Sequence, residues 1–410
     1  LDEPTQGVDV GARSEIYTLI RERANDTGMA TVVVSSDATE LAGLCDRVLV
    51  FSRGKIIAEF SGDEVSEEHI TNAALQATAV REKPKQRHNA FLEWLSGDWA
   101  PAALVGTALV TLALIAQISN PLFMSPLSIA SLLTLATTLI FASLAQNLVL
   151  LVGGIDLSVG PFMGFMVVVM SFFLVNGTPA AGQLTGWALL VVLPIALGLV
   201  NWALSDIAKI HPMIATLVTY MALQALSLIL RPVPGGVISR NITAPLSMKI
   251  GPVPVVFIVA VLISVVLGWW LTRTRAGVVL RAVGSRSETA KVNGLSPSKV
   301  RLLAYVGASF LAALGAITLM AQLGSGDPNA GSSYTLSSIS AAVIGGASLL
   351  GGRGSFIGAL LGALLIQTAM SVTTFMGLDS AWQSFLLGGL TVVAVAGYSK
   401  SRQLVKVEAH

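Results

Sequence analysis

The feature that most constrains this chain is a series of apolar runs, each about as long as a lipid bilayer is thick. Only six charged residues occur between Pro101 and Thr272, and only three between Leu302 and Gly397. Because about 20 apolar residues cross a bilayer as a helix, such runs indicate membrane-spanning helices. The predicted fold is an α-helical multi-pass membrane protein with about ten transmembrane helices, near residues 101–119, 129–152, 157–176, 184–204, 212–231, 252–271, 302–323, 334–352, 354–375 and 380–397.

A basic segment between the sixth and seventh runs predicts the orientation of the protein in the membrane. Seven basic residues and a single acid, Glu288, lie between Arg273 and Arg301. Basic loops between membrane-length runs accumulate on the cytoplasmic side. An even number of spans on each side of this segment predicts an inner (cytoplasmic) membrane protein, in contact with membrane lipid, with cytoplasmic N- and C-termini. The count leaves three basic residues on the outer side, namely Arg231, Arg240 and Lys249.

The charges divide the chain into two unlike parts. Residues 1–100 carry 17 acidic and 10 basic residues, whereas residues 101–410 carry 6 and 15. The first part therefore has the composition of a soluble domain, and the second that of a membrane domain. Outside the loops that face the cytoplasm the sequence supplies no basic face, so no nucleic-acid partner is predicted. A single cysteine, Cys45, excludes an internal disulfide.

The soluble part has the pattern of the closing half of an α/β domain. Apolar residues at helical spacing predict a helix over Ala12–Asn25, which ends at Gly28. The β-branched run Ala30–Ser35 predicts a buried parallel strand. A short helix and two further strands are predicted to follow, over Ala38–Leu44, Arg47–Ser52 and Ile56–Phe60.

The segment Leu1-Asp-Glu-Pro-Thr-Gln-Gly-Val-Asp9 resembles the Walker B and D-loop segment of ABC-transporter ATPases. The resemblance implies that Asp2 helps to hold Mg²⁺, that Glu3 is the catalytic residue that polarises the attacking water, and that Asp9 lies at a dimer seam. Ser36 stands where that family carries its switch histidine, as in the degenerate second ATPase half of ribose- and xylose-type importers. The alternative is that Asp2 and Glu3 only cap a helix.

The ATPase part is expected to be incomplete. The sequence contains neither a G-x-x-x-x-G-K-[ST] phosphate loop nor a Leu-Ser-Gly-Gly signature. ATP and Mg²⁺ are thus expected as cofactors of a complete ATPase, and this chain alone is not expected to bind them well. The chain opens without a methionine, which suggests a fragment. We predict an ATPase fragment over 1–80, a basic linker and interfacial helix over 81–100, a permease domain over 101–398 and a cytoplasmic tail over 399–410.

Polar residues inside the apolar runs are the candidates for a substrate pathway. The stretch Gly153–Gly160 breaks the second apolar run just before the third. Its Asp156 and Ser158 can cap the next helix or contact a solute. Asn147 and Gln322, like Gln146, lie within or at the ends of spans, where each must find a hydrogen-bond partner. A bond between helices and a contact with solute are both open for them.

Three segments resemble the permeases of monosaccharide ABC importers: Gly153–Gly160, Ala282–Gly294 and Ile344–Gly358. The resemblance implies a ten-span permease that works as a homodimer with two complete ATPase domains and an extracytoplasmic sugar-binding protein. It also implies that a short helix near Ser287–Asn293 couples ATPase closure to the spans. Glu288, Ala290 and Gly294 belong to this coupling loop.

Other interpretations stay open at this point. The basic loop could only set topology, and the same fold could import a nucleoside, a branched-chain amino acid or an autoinducer-type sugar. A structural or channel-like membrane protein is a further option. An intramembrane enzyme is disfavoured, because Asp156 and Glu288 lie in separate loops and the spans contain no cysteine.

Overall fold

The computed structural model describes residues 1–5, 8–52, 54–79, 100–379, 381–389 and 391–392. The chain divides into two compact units, 1–88 and 89–410. The predicted linker and interfacial helix lie outside the described residues, as do the predicted tail and the exact domain boundaries, which stay predictions.

The described residues of the first unit form three α-helices, a short 3-10 turn over Gly62–Glu64 and one antiparallel hairpin. Helix α1 is followed by α2 and by strands β1 and β2, which pair with each other, and then by α3. Val48 and Val50 of β1 and Ile70 of α3 form its small core. The predicted helices and the last two predicted strands are confirmed. The bounds are α1 Val10–Thr27, α2 Ala38–Leu44, β1 Arg47–Ser52, β2 Lys55–Ser61 and α3 Glu67–Ala79.

The predicted buried strand over Ala30–Ser35 is wrong. This segment is extended, but it makes only a parallel bridge between Val34 and Asp2. Val32 is 75% exposed and Val34 is 60% exposed. Among the described residues its backbone partner is the segment Leu1–Glu3, with three hydrogen bonds of 2.8 Å. A β-branched run becomes a buried strand only when neighbouring strands and helices cover it, and this one is paired along one edge.

The second unit is helical. Its helices are α4 Ala100–Ser119, α5 Pro126–Leu151, α6 Val159–Phe173, α7 Ala180–Trp202, α8 Pro212–Leu230, α9 Arg240–Leu246, α10 Val255–Arg273, α11 Arg275–Ser285, α12 Ser287–Val292, α13 Pro297–Leu323, α14 Ser333–Ile344 and α15 Phe356–Phe375. Short strands form two small antiparallel pairs, β3 Gly235–Val237 with β6 Ser325–Gly326, and β4 Lys249–Ile250 with β5 Val253–Pro254.

Seven helices among the described residues are long and apolar enough to cross a membrane: α4, α5, α7, α8, α10, α13 and α15. The predicted spans 157–176 and 334–352 are instead the shorter helices α6 and α14, of 15 and 12 residues. Residues 345–352 of the second predicted span lie in a glycine-rich loop, which is why the apolar run overstates α14, whereas the first predicted span exceeds α6 by two residues before it and three after it. Of the predicted span 380–397, residues 381–389 and 391–392 are described, and they are helical. The number ten is not confirmed.

The centre of the unit is formed by α5, α13 and α15. More than half of each of their apolar windows is buried, against 17% for α4 and α10. The sequence pairs Gly160-x-x-x-Gly164 and Gly358-x-x-x-Gly362 let helices approach closely. Gly160 and Gly164 of α6 approach the backbone of Gly331, and Gly358 of α15 approaches that of Gly345. The outer helices therefore present apolar side chains on the surface of the unit, as expected for lipid contact.

Arg231 has a structural role that explains its position among the membrane helices. Its Nε donates to Ser171 Oγ at 2.9 Å, and its Nη2 donates to the Ser171 carbonyl at 3.4 Å. The guanidinium also lies 4.3 Å from the ring centre of Phe172. A cation at the C-terminal end of a helix, here α6, is favourable. This charge is thus explained by packing, without reference to the side of the membrane.

Candidate functional site

In the first unit the structure brings Glu3 and Ser36 together. Glu3 Oε1 accepts a hydrogen bond from the Ser36 backbone nitrogen at 2.9 Å, and Glu3 Oε2 accepts one from Ser35 Oγ at 3.4 Å. Glu3 itself has a left-handed backbone, with φ +47°. Asp2 and Asp9 are exposed. The Glu3 carboxylate therefore binds the segment before α2, which differs from the helix-capping alternative.

Sequence reasoning missed Glu40, the acid at the centre of this hydrogen-bond cluster. Its side chain is buried, and its carboxylate accepts hydrogen bonds from Thr5 Oγ1 at 2.7 Å and from Ser35 Oγ. Glu40 thereby connects the Walker B-like segment to the segment that ends at Ser36. The signal that could have identified Glu40 is its acidic side chain within the otherwise largely apolar helix α2.

In the second unit, the interruption after α5 is a helix-ending turn. Gly153 has φ +81°, its N–H bonds the Leu150 carbonyl, and the N–H of Gly154 bonds the Val149 carbonyl at 3.0 Å. This is a Schellman motif, in which glycine takes the left-handed position that other residues avoid. The chain then turns back, and α6 begins at Val159.

Asp156 lies inside the protein and is held by hydrogen bonds. It is 1% exposed, and its Oδ1 accepts from the Ser158 backbone nitrogen at 2.8 Å and from Ser158 Oγ at 2.5 Å. Asn201 of α7 donates to Ser158 Oγ at 3.0 Å, and Thr219 of α8 donates to Asn201 Oδ1 at 2.8 Å. These contacts hold the loop before α6, whose N-cap residue Ser158 makes no side-chain capping bond of its own. Solute contact by Asp156 and Ser158 stays a prediction.

The amides of Gln146 and Gln322 bond other elements. Oriented by its hydrogen-bond partners, Gln146 donates to the Asp156 carbonyl at 2.8 Å and accepts from the Asp156 nitrogen at 3.2 Å. Gln322 of α13 donates to the Thr134 carbonyl at 2.9 Å and to Thr138 Oγ1 at 2.8 Å, both on α5. The predicted bond between helices is confirmed for Gln322, whereas Gln146 bonds the loop residue Asp156 and not another helix.

The same prediction is wrong for Asn147. It is fully buried on α5, but neither its Oδ1 nor its Nδ2 has a hydrogen-bond partner among the described residues. A Cβ placed on Gly354 would lie 2.6 Å from Asn147 Oδ1, so this glycine packs directly against the amide. A buried amide without a partner is costly, and such groups are candidates for a ligand, a water or a change of partner.

The segment that is predicted to be a coupling loop contains the predicted short helix and the turn at Gly294. Helix α12 carries Glu288 and the buried Ala290, and it ends in a second Schellman motif at Gly294, which has φ +80°. The nitrogens of Gly294 and Leu295 bond the carbonyls of Lys291 and Ala290, each at 3.0 Å. Glu288 lines a cleft of about 500 Å³ together with Val152, Gly153, Val283, Gly284, Ser285, Arg286, Ser287, Thr289, Arg301 and Leu350.

The three segments that resemble importer permeases meet at one point, which we call the glycine junction (Leu151, Gly153, Gly284, Gly351 and Gly352). A Cβ on Gly284 would lie 1.8 Å from the Leu151 carbonyl oxygen, and one on Gly351 would lie 2.5 Å from the Gly284 carbonyl oxygen. The nitrogen of Gly352 bonds the Leu151 carbonyl at 3.0 Å. The end of α5, the end of α11 and the loop before α15 are therefore in backbone contact directly before α12.

A family model with the description "Branched-chain amino acid transport system / permease component" matches residues 128–395. This range contains the Gly153–Gly160 turn, the coupling loop and the glycine junction. No solved structure matches the chain.

Several relatives are similar over most of their length. A probable ABC transporter permease protein of Sinorhizobium fredii is 32% identical over 76% of this chain and 93% of its own. The ribose import permease protein of Bacillus subtilis is 32% identical over 70% of this chain and 89% of its own. The fructose import permease protein of Rhizobium meliloti is 33% identical over 62% of this chain and 72% of its own. Given the helical bundle and the match over residues 128–395, this chain belongs to the family of branched-chain amino acid transport system permease components.

Proposed function

We propose that this chain is the membrane-spanning permease of an ATP-driven ABC importer for a monosaccharide, and that it couples ATP hydrolysis on the cytoplasmic side to sugar uptake. The observation that carries the proposal is the glycine junction, where Gly284, at the end of α11 and shortly before the coupling loop, contacts the end of α5 through backbone atoms. Relatives that are named as ribose and fructose import permeases support the class of solute.

The coupling role is assigned to α12. Ala290 anchors the helix by burial, Gly294 ends it with a sharp turn, and Glu288 faces the cleft beside α5. A push on α12 would reach α5 through Gly284 and Leu151, because these backbones have no room between them. We assign the substrate pathway to Asn147 first, since Asp156, Ser158 and Gln322 already bond protein groups.

The partners follow from the same proposal. They are a second permease copy, complete ABC ATPase domains, an extracytoplasmic sugar-binding protein and the surrounding lipid. We propose that both termini are cytoplasmic and that the two short helices α6 and α14 and a helix near 380–397 complete a ten-helix bundle.

We further propose that residues 1–80 are the end of an ABC ATPase domain. Asp2 and Asp9 are exposed and could contact Mg²⁺ or a partner domain, whereas the Glu3 carboxylate accepts hydrogen bonds from the Ser35–Ser36 segment. Among the described residues no group of three metal-binding side chains is present. These residues therefore fit a part of a nucleotide site only, and ATP and Mg²⁺ would need a complete ATPase.

The family description favours a second solute class, a branched-chain amino acid, and one relative is named an autoinducer 2 import permease. The test is uptake into proteoliposomes that hold this chain, its complete ATPase subunits and the binding protein. We expect ATP-dependent accumulation of a labelled pentose or hexose, and none of leucine or a nucleoside. Accumulation of leucine alone would favour the second class, and no accumulation of any of these solutes would contradict the importer.

A further inference from the structure

Helix α7 ends in an unusual turn. Residues Ala203–Ile207 continue α7 as a π turn, in which the Ala208 nitrogen bonds the Ala203 carbonyl at 2.9 Å. Such wide turns are rare and are often found at functional sites. The segment Asn201–Asp206, here called the α7 turn, has side-chain partners on two different parts of the bundle.

On one side the α7 turn is attached to the start of α13, the helix that follows the coupling loop. Trp202 Nε1 donates to the Ser298 carbonyl at 3.1 Å, and Arg301 Nη1 donates to Asp206 Oδ1 at 2.5 Å. The Asp206 side chain is 6% exposed and that of Arg301 is 30% exposed, so this ion pair is partly shielded from solvent. Arg301 also lines the cleft beside Glu288.

On the other side the α7 turn is attached to the interruption between α5 and α6. Asn201 is fully buried, and its Nδ2 donates to Ser158 Oγ at 3.0 Å. The two attachments lie on one turn of the helix, within which Ser205 Oγ donates to the Asn201 carbonyl at 2.6 Å. One turn earlier, a Cβ on Gly198 would lie 2.5 Å from the Val306 Cα of α13, so the two helices are in close contact.

We propose that Asn201 and Asp206 are positioning residues that transmit a displacement of the coupling loop to the α5–α6 interruption. When α13 moves, Asp206 must follow Arg301 or lose a partly shielded ion pair. Asn201 then moves Ser158, and with it the start of α6. This inference rests on the proposed function, because it names how that permease would convert ATPase closure into a movement near Asp156.

The first experiment measures amide hydrogen exchange of the full chain in lipid nanodiscs. Asp206→Asn keeps the shape of the side chain but removes its charge, so it weakens the attachment to α13. We expect the amides of residues 153–158 to exchange at least about fivefold faster, because exchange reports local opening. Asp327→Asn is the matched control, since Asp327 accepts a local bond from the Asn329 nitrogen beyond the other end of α13. Unchanged exchange at 153–158 in Asp206→Asn would overturn the proposal.

The second experiment compares sugar uptake with ATP hydrolysis in the complete transporter. We expect Asp206→Asn and Asn201→Ala to lower uptake per ATP at least about threefold while ATP hydrolysis continues, and Asp206→Glu to recover part of the loss. An equal fall in both rates would indicate a purely structural role and contradict the inference. A wild-type protein that accumulates no sugar would contradict the proposed function instead, and the exchange experiment would still decide the role of the α7 turn.

Discussion

Gln146 and Asn147 are neighbours on α5 and are equally buried, but their surroundings differ. Gln146 bonds the backbone of Asp156, which belongs to a network that continues through Ser158 and Asn201. The amide of Asn147 faces Gly354 and has no partner among the described residues. Polar side chains in the interior of a membrane protein thus have two distinct uses. One set holds the bundle together, and the other leaves a polar group available to a solute, a water or another conformation.

The largest effect is expected from removing Asp156. Asp156→Ala deletes the acceptor of two hydrogen bonds from Ser158 and leaves Asn201 with one fewer partner. We expect a loss of about 3 kcal/mol in the free energy of unfolding, because a buried donor left without its acceptor costs about 1–3 kcal/mol and more than one donor is affected here. Unfolding in mixed micelles with increasing denaturing detergent measures it. Asp156→Asn is the control, because it keeps the acceptor Oδ1 and should be milder. Equal stability of Asp156→Ala and the wild type would contradict the distinction between polar side chains that hold the bundle together and those that do not.

The next largest effect is expected at Gly354. In Gly354→Ala the new Cβ would lie 2.6 Å from Asn147 Oδ1, and overpacking of this kind costs about 1–3 kcal/mol. The double variant Gly354→Ala with Asn147→Ala removes the clash and should regain part of the loss. Thermal unfolding of the wild type, the two single variants and the double variant forms a double-mutant cycle, which gives the interaction energy between the two sites. Strictly additive effects would show that Asn147 and Gly354 are not in contact.

Part of this arrangement follows from the sequence in a direct way. The glycine pair after the apolar helix α5 predicts the turn at Gly153, and the single glycine after the short segment Ser287–Asn293 predicts the turn at Gly294, because only the local backbone is needed. The same reasoning can mark Asn201 and Glu40 as polar residues in apolar helices but cannot predict their partners, because the sequence near each residue carries no sign of them. Nor could it see that Ala30–Ser35 lacks covering neighbours or that a glycine-rich loop shortens α14. Such features depend on tertiary packing, in which segments distant in sequence meet.

A smaller effect is expected from the bonds between α5 and α13. Thr138 Oγ1 lies 2.7 Å from Thr318 Oγ1 and accepts from Gln322. In Thr138→Val the other two side chains keep a second bond, to the Gly315 and Thr134 carbonyls. Single side-chain bonds between membrane helices contribute about 0.6 kcal/mol on average, so we expect a loss of that size. The detergent-unfolding assay would detect it, with Ser264→Ala as the control because Ser264 bonds only its own helix. A loss as large as that of Asp156→Ala would contradict the estimate.

The smallest effect on stability is expected at Asn147, and there stability and transport should separate. Asn147→Leu replaces an unpaired buried amide by an apolar side chain of similar volume, so the free energy of unfolding should change by less than about 1 kcal/mol in either direction. If the amide contacts the solute, the same variant should lower sugar uptake while the ATPase of the complex stays active.

Asn147→Gln tests the amide itself, although its longer side chain must fit beside Gly354. Strong destabilisation by Asn147→Leu would show that the amide has an undetected structural partner. Unchanged uptake at unchanged stability would exclude it from the substrate pathway. Gln146→Leu is the contrasting variant, because Gln146 is the neighbouring residue and bonds Asp156. We expect this variant to lower the free energy of unfolding, so that any fall in its uptake is explained by lost stability.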